Sequence, residues 1–465
     1  MQTQDKMIRR RFLQTTSLGL GALALNSIEG APVNSTSRVA PHFPPQAKRV
    51  IYLFMSGGPS QLETFDQKPN LQRMHGQDMP KSVIGKQRLT TMTRFQGRLR
   101  VAASQEKWGR FGESSQIMNS VFTNLAGVAD DMCIIRSMTS EPINHDPAVT
   151  FLQTGSPVAG RPAIGSWLSY GLGSENKDLP EFVVLMSGGG QPVPSRYWHN
   201  GFLPSRHQGV QFQSKGDPVL FLSDPDGMSR KNRGRLVNRI SQLNKLKYEQ
   251  IGDPEIEARI DAYQLAYRMQ TSVPELMDIS RETQSTLDAY GAKPGGSSFA
   301  NNCLLARRLV ESGVRFIQLY DRGWDHHSDT TANIKNKIRQ VDQPCAALLK
   351  DLKRRGLLDE TLVVWGGEFG RTTYGQDRGK TFGRDHHPRC YSIWMAGGGI
   401  KGGTNYGATD DFSYNVAHKP FHVHDLQATM LHCLGIDHER LTYKFKGRDF
   451  RLTDVAGRVV HDILA

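Results

Sequence analysis

The chain has 465 residues, a formal net charge of +13, and 38% hydrophobic and 8% aromatic residues. These fractions exclude a polytopic membrane protein and suit a soluble globular enzyme of one large domain or two. The positive balance favours anionic partners such as phosphate esters, sulfate esters, acidic glycans or cell-wall polymers, and no nucleic-acid-binding motif accompanies it.

The first elements are targeting signals. Lys6, Arg9, Arg10 and Arg11 make a short basic start, followed by a mildly apolar, glycine-containing run over residues 12–25. That run has signal-peptide length and is too short to span a bilayer. Arg9-Arg10-Arg11-Phe12-Leu13 matches the twin-arginine pattern. Residues 1–31 therefore read as a twin-arginine signal peptide and leader, with Ala22-Leu23-Ala24 as the cleavage region. Residues 32–47, rich in Pro, Ser and Asn, read as a flexible leader. The expected destination is the periplasm or the exterior. Twin-arginine export carries folded proteins, which fits a metal or cofactor acquired before export. With Asp5 offsetting one of its four positive charges, the basic start supplies +3, so about +10 remains in the mature chain.

Residues 48–465 predict an α/β domain. Near-continuous apolar runs at 49–55, 133–136, 182–186, 314–320, 362–365 and 391–395 each end in glycine or polar clusters. Strands buried on both faces of a parallel sheet read this way. Amphipathic helical patterns occupy 298–312, 332–355 and 423–434, stopped by Gly313, Gly356 and Gly435. Residues 205–295 are polar, charged and helical, and read as an insertion. The alternation predicts a doubly wound, mostly parallel sheet with helices on both faces. The five cysteines, Cys133, Cys303, Cys345, Cys390 and Cys433, are odd in number, lack metal or redox spacing, and read as buried free thiols.

Ligands of open parallel sheets bind beyond the carboxyl ends of the strands. Three polar clusters fall there. Trp324-Asp325-His326-His327 places Asp and His two apart, on one face of an extended segment. Gly366-Gly367-Glu368-Phe369-Gly370-Arg371 offers a carboxylate in a glycine-rich turn, and Gly383-Arg384-Asp385-His386-His387-Pro388 precedes the run at 391. Together they supply nitrogen and oxygen ligands for a divalent cation, with zinc, calcium and manganese all open.

These clusters, with Gly57-Gly58-Pro59-Ser60 before them and Ala396-Gly397-Gly398-Gly399-Ile400-Lys401-Gly402-Gly403 after, resemble one family: secreted bacterial sulfatase-like proteins with a domain of unknown function, grouped with the alkaline phosphatase superfamily. The resemblance runs from Val50 to Leu464. It implies an alkaline-phosphatase-like sheet and a metal site held by Asp325, His327, Glu368 and His386, with His387 the alternate to His386 or a substrate contact beside it. The superfamily's metal-binding Asp at the end of the first strand is replaced by Ser56-Gly57-Gly58, so a single metal, or a site completed by Ser60 or Asp66, is expected. The sulfatase nucleophile motif falls on Asn144-His145-Asp146-Pro147, and His145 occupies the nucleophile's place, which excludes formylglycine chemistry. His145 could be a nucleophile, a general acid or base, or an additional metal ligand. Ser60 is a second catalytic candidate. Arg371 and Arg384 could fork an anion or neutralise the carboxylates. The loop 201–209, carrying His207, resembles a family loop that lines the substrate cleft.

Two readings follow. The first is a metal-dependent hydrolase of phosphate or sulfate esters, acting on an anionic small molecule or polysaccharide; a phosphodiesterase or phosphomutase-like activity is indistinguishable from it in sequence. The second is a catalytically degenerate relative that binds sulfated or phosphorylated polymers.

Overall fold

A computed structural model describes residues 41–190, 192–213, 217–219, 223–224, 227–376 and 381–465. The expected signal peptide and most of the expected leader lie outside the described residues. Residues 41–47 do not behave as a flexible leader. The amides of His42 and Phe43 donate to the Gly435 carbonyl at 2.8 and 3.3 Å, and those of Gln46 and Ala47 to Cys433 at 2.9 and 2.8 Å. These are main-chain contacts, which composition does not reveal.

The six apolar runs all enter one nine-stranded sheet. The strands used here are β1 (Arg49–Ser56), β2 (Met132–Thr139), β3 (Phe182–Ser187), β4 (Val210–Gln211), β5 (Phe316–Arg322), β6 (Thr361–Gly366), β7 (Gly370–Gln376), β8 (Gly383–His387), β9 (Tyr391–Ala396), β10 (Thr404–Tyr406) and β11 (Phe421–His422). The sheet order is β10-β2-β9-β6-β1-β5-β3-β4, with β11 also pairing β2. β1 is central and parallel to both neighbours, with Val50 opposite Phe316 and Leu362. β9 is the exception, antiparallel to β2 and β6. β7 and β8 form a separate antiparallel hairpin over the sheet's end.

Helices cover both faces, because strands apolar on both sides must bury both. One face packs against α5 (Phe299–Glu311) and α6 (Thr330–Arg354), burying Leu304, Leu305, Ile338 and Leu348. The other carries α1 (His145–Thr154), α2 (Ile164–Leu172) and α7 (Val423–Cys433), burying Val149, Trp167, Leu168 and Leu426. Helix α5 starts where the Ser298 side chain accepts from Asn301 N, and Gly313 follows its end with φ of 83°. The span 205–295 contains the helix pair α3 (Arg230–Ile251) and α4 (Pro254–Met277), but it also lends β4 to the sheet edge. All five cysteines are buried and free. Among the described residues, no helix is long and apolar enough to cross a membrane.

The carboxyl ends of β1, β5 and β6 converge. At the β1 tip, Gly57 has φ of 119°, and a Cβ there would lie 2.5 Å from the Asp325 amide nitrogen. Only glycine allows this approach. Gly57→Ala is expected to destabilise the fold by at least ~1–3 kcal/mol, from the backbone conformation alone. Urea unfolding measures it, and a midpoint equal to wild type would show that the two turns are not so closely packed.

Candidate metal centre

Asp325 follows β5, and the turn before it is anchored by Asp321, which accepts from Ser187 Oγ at 2.9 Å and Trp324 Nε1 at 2.9 Å and pairs with Lys337 at 2.6 Å. His327 lies two residues on. His386 is brought in by the β7–β8 hairpin, and His145 opens α1. Four donor-bearing residues, His145, Asp325, His327 and His386, place one ligand atom each within 4.8 Å of one another. Asp325 Oδ1 is 2.9 Å from His327 Nε2 and 3.4 Å from His386 Nε2, and Oδ2 is 3.2 Å from His145 Nε2.

The second ring nitrogens decide what the cluster can do. His386 Nδ1 lies 2.8 Å from the Ile143 carbonyl, which can only accept, so Nδ1 carries the proton and Nε2 is bare in the neutral ring. His327 Nδ1 faces Gln376 Oε1 at 2.7 Å and His145 Nδ1 faces Glu368 Oε1 at 2.7 Å, which assigns both rings the same tautomer. In their neutral forms, as a metal would bind them, three imidazoles therefore point bare Nε2 atoms at one carboxylate. His327 Nε2 and His386 Nε2 are 3.1 Å apart, and two lone pairs at that distance repel unless a proton or a cation sits between them. His145 Nε2 is buried, with Asp325 Oδ2 at 3.2 Å. The donor set of three nitrogens and one carboxylate, each oriented by an outer partner, is one that could hold a metal ion.

The electrostatics agree. Burial opposes ionisation of Asp325, but His145, His327, His386 and Arg371 outweigh it and hold the carboxyl far below the usual range. Burial would depress His145, yet hydrogen bonds to Asp325 and Glu368 prevail and raise it to about 9. His386 is pushed down to about 4, first by burial and then by Arg371 and His145, against the opposing pull of Asp325.

These opposite shifts give the metal-free protein a two-limbed pH dependence. A raised pKa means that the protonated His145 stabilises the fold. That contribution is complete below about 6.5 and is lost as pH rises through about 9. His386, held at about 4, binds its proton more readily unfolded, so stability rises from about pH 4 to 6.5. Buried His326 and His387, both pushed down to about 4, add to that acid limb. Chelator-treated protein is expected to be most stable near neutrality, and saturating divalent metal to abolish the alkaline decline by replacing the His145 proton. Urea midpoints across this range, with and without chelator, check it. A chelated protein equally stable at both ends of the alkaline limb would refute it.

Residues 47–464 match the family described as Protein of unknown function (DUF1501). The chain belongs to this family. No curated protein matches it. Solved structures similar to this member include the PsFucS1 sulfatase from Pseudoalteromonas sp., with 12% identity, 93% of this chain and 72% of that one covered, and a TM-score of 0.36. Alkaline phosphatase from the Antarctic bacterium TAB5 matches at 9% identity, 84% and 98% coverage, and a TM-score of 0.30. Ps i-CgsB in complex with k-i-k-neocarrahexaose matches at 10% identity, 84% and 72% coverage, and a TM-score of 0.36. At these identities the chemistry of the DUF1501 chain is read from its own residues.

Of the ligands expected from sequence, Asp325, His327 and His386 come together. Glu368 and His145 exchange places: His145 stands in the cluster, and fully buried Glu368 sits behind it, accepting from Gly57 N at 3.0 Å and from His145. The Gly57 amide at the end of the first strand thus orients Glu368. Neither Ser60 nor Asp66 completes the site. Ser60 is buried and hydrogen-bonded to Glu63, while Asp66 accepts from Ser413 Oγ at 2.6 Å and pairs with Lys68 at 3.2 Å.

The substrate-binding candidates are internal. Arg371 is buried, donating to the Gly58 carbonyl at 2.9 Å and to Asp325 at 2.6 Å. Arg384 is fully buried against Glu63 at 2.6 Å. Of the two roles open to these arginines, neutralising carboxylates is the one their burial allows. His207 is buried against Ser169 at 2.7 Å and Arg206 at 3.2 Å, and none of its partners belongs to the cluster. His387 donates to the Tyr414 carbonyl at 2.6 Å and stacks on that ring at 4.2 Å. Gln376 and the Ile143 carbonyl have no sequence signal; only the fold reveals them.

Proposed function

We propose that this chain is an exported, metal-dependent hydrolase of anionic esters, phosphate or sulfate, that does not use formylglycine. The observation that carries the reading is the convergence of three bare imidazole nitrogens on Asp325, with every second nitrogen engaged elsewhere. Nitrogen-rich donors favour zinc or manganese over calcium, which prefers six or more oxygen ligands. A divalent cation held there supplies Lewis acidity towards an ester oxygen and lowers the pKa of water. The chain's own residues hold and aim the site. Glu368, Gln376 and the Ile143 carbonyl fix ring orientation, and Arg371 offsets the Asp325 charge. A cleft beside His386 admits the ester.

Elemental analysis of purified protein, followed by a screen of aryl phosphates, phosphodiesters and sulfate esters with zinc, manganese and calcium, tests the reading. One ion per chain is expected, with turnover that chelation removes and His386→Ala abolishes. Protein without stoichiometric metal and without turnover would overturn it. The binding-only reading draws on one observation, the burial of Ser60, which keeps its hydroxyl out of reach of a substrate. Metal-loaded protein that binds sulfated polymers and cleaves none of the esters would establish it instead.

A further inference from the structure

A cleft of about 710 Å³ opens beside the cluster, within the size range of small-molecule sites. His386 and Ile143 form part of its wall, so it reaches the ring whose Nε2 faces Asp325. A bare phosphate or sulfate placed at His386 would fill only a corner of that volume. The remainder must receive whatever carries the ester.

The charge around the cleft is uneven. Among the described residues, its one lining carboxylate, Glu141, is engaged with His422 at 2.9 Å. Arg88 and Arg389 also line it, both exposed, and neither forms an ion pair among the described residues. They differ in this from Arg371 and Arg384, whose guanidinium groups are buried and spent on carboxylates and main-chain carbonyls. A guanidinium with solvent access and no internal partner keeps its forked donors for a solute, and binds an anion bidentately.

We propose that Arg88 and Arg389 form an anion subsite that holds a second negatively charged group of the substrate. The preferred substrate is then a small scaffold, of sugar size, bearing at least two sulfate or phosphate groups: one at the cluster and one at the arginines. The assignment of the first group rests on the hydrolase reading above. The subsite itself does not, because it is read from the cleft's shape and charge.

The test is a titration of the full-length, zinc-loaded protein with three sulfated states of one disaccharide (unsulfated, monosulfated and disulfated) and with a hexose bisphosphate against its monophosphate. Adding the second anionic group is expected to tighten binding about tenfold in at least one series, and high salt to shrink that gain. Arg88→Gln and Arg389→Gln are each expected to remove most of the gain, while Arg88→Lys and Arg389→Lys keep part of it. Both side chains are exposed, so melting temperatures should not move. No preference for the doubly charged ligands in wild type, or a preference that survives in the Arg88→Gln/Arg389→Gln double variant, would overturn the subsite. Failure of the hydrolase reading looks different: the preference persists and both variants abolish it, but no ester is cleaved with any metal.

Discussion

Metal binding is expected to vanish in the Asp325→Asn protein and only to weaken in the Glu368→Gln protein. Asp325 is the one anion among the four clustered residues, and its two oxygens serve all three imidazoles. An amide there keeps one oxygen and turns an NH₂ group towards a bare Nε2, so the charge that holds a divalent ion is gone. Glu368 stands one step further out, behind His145 Nδ1 at 2.7 Å. Outer partners of this kind typically contribute ten- to a hundred-fold in metal affinity, by fixing the tautomer and raising ligand basicity. Elemental analysis after dialysis should give no ion for Asp325→Asn and one for Glu368→Gln, and competition with a fluorescent chelator should show the weaker affinity of the latter. Equal and complete loss in both variants would make Glu368 a ligand in its own right. Melting curves of both, taken without metal, separate lost ligation from lost folding.

Much of the fold is legible because strands buried on both faces leave an unmistakable mark. Runs such as Val50–Met55 and Leu362–Trp365 admit little else, and they place the site at the sheet's carboxyl edge before any coordinate is known. Direction is another matter. Tyr391-Ser392-Ile393-Trp394-Met395 reads like its parallel neighbours, yet β9 runs antiparallel between β2 and β6. Apolar periodicity carries no sign, so a run reads the same whichever way its neighbours point.

The candidate site divides in the same manner. Asp325, His327 and His386 are legible because the right residue types stand at strand ends or on the adjoining hairpin. The exchange between His145 and Glu368 is not, because it is a contact between residues 223 positions apart. Both residues are chemically able to bind a metal, and only the packing of α1 against the β6 turn decides which one faces the cluster. The main-chain carbonyl of Ile143 and the amide of Gly57 belong to no residue type at all. The arginines fail for a third reason. Arg384 stands two residues before His386, so it reads as part of the same ligand-facing motif, but the β7–β8 pairing slips register between Arg384 and His386, and the two no longer share a face. His386 turns to the cluster, and Arg384 turns inward.

That inward turn makes Arg384→Met the change expected to cost most stability, about 3–5 kcal/mol. Arg384 and Glu63 are both fully buried and paired at 2.6 Å. The guanidinium also donates to the carbonyls of Thr372 at 2.9 Å, Thr373 at 3.2 Å and Ala102 at 2.7 Å. Removing it leaves the Glu63 carboxylate in a dry interior, with the Ser60 hydroxyl as its remaining hydrogen-bond partner among the described residues, and strips three carbonyls of a donor. Replacing both partners avoids the stranded charge, so Glu63→Leu/Arg384→Met should regain a large part of the loss. Urea denaturation of the three variants measures this, and a loss below about 1 kcal/mol for Arg384→Met would show that the pair contributes little. The functional consequence is local. Arg384 ties the β7–β8 hairpin to the turn after β1, and that hairpin carries both His386 and Gln376. Even a folded Arg384→Met protein is therefore expected to bind metal more weakly, because the ring of His386 and the amide that aims His327 would no longer be held against Asp325.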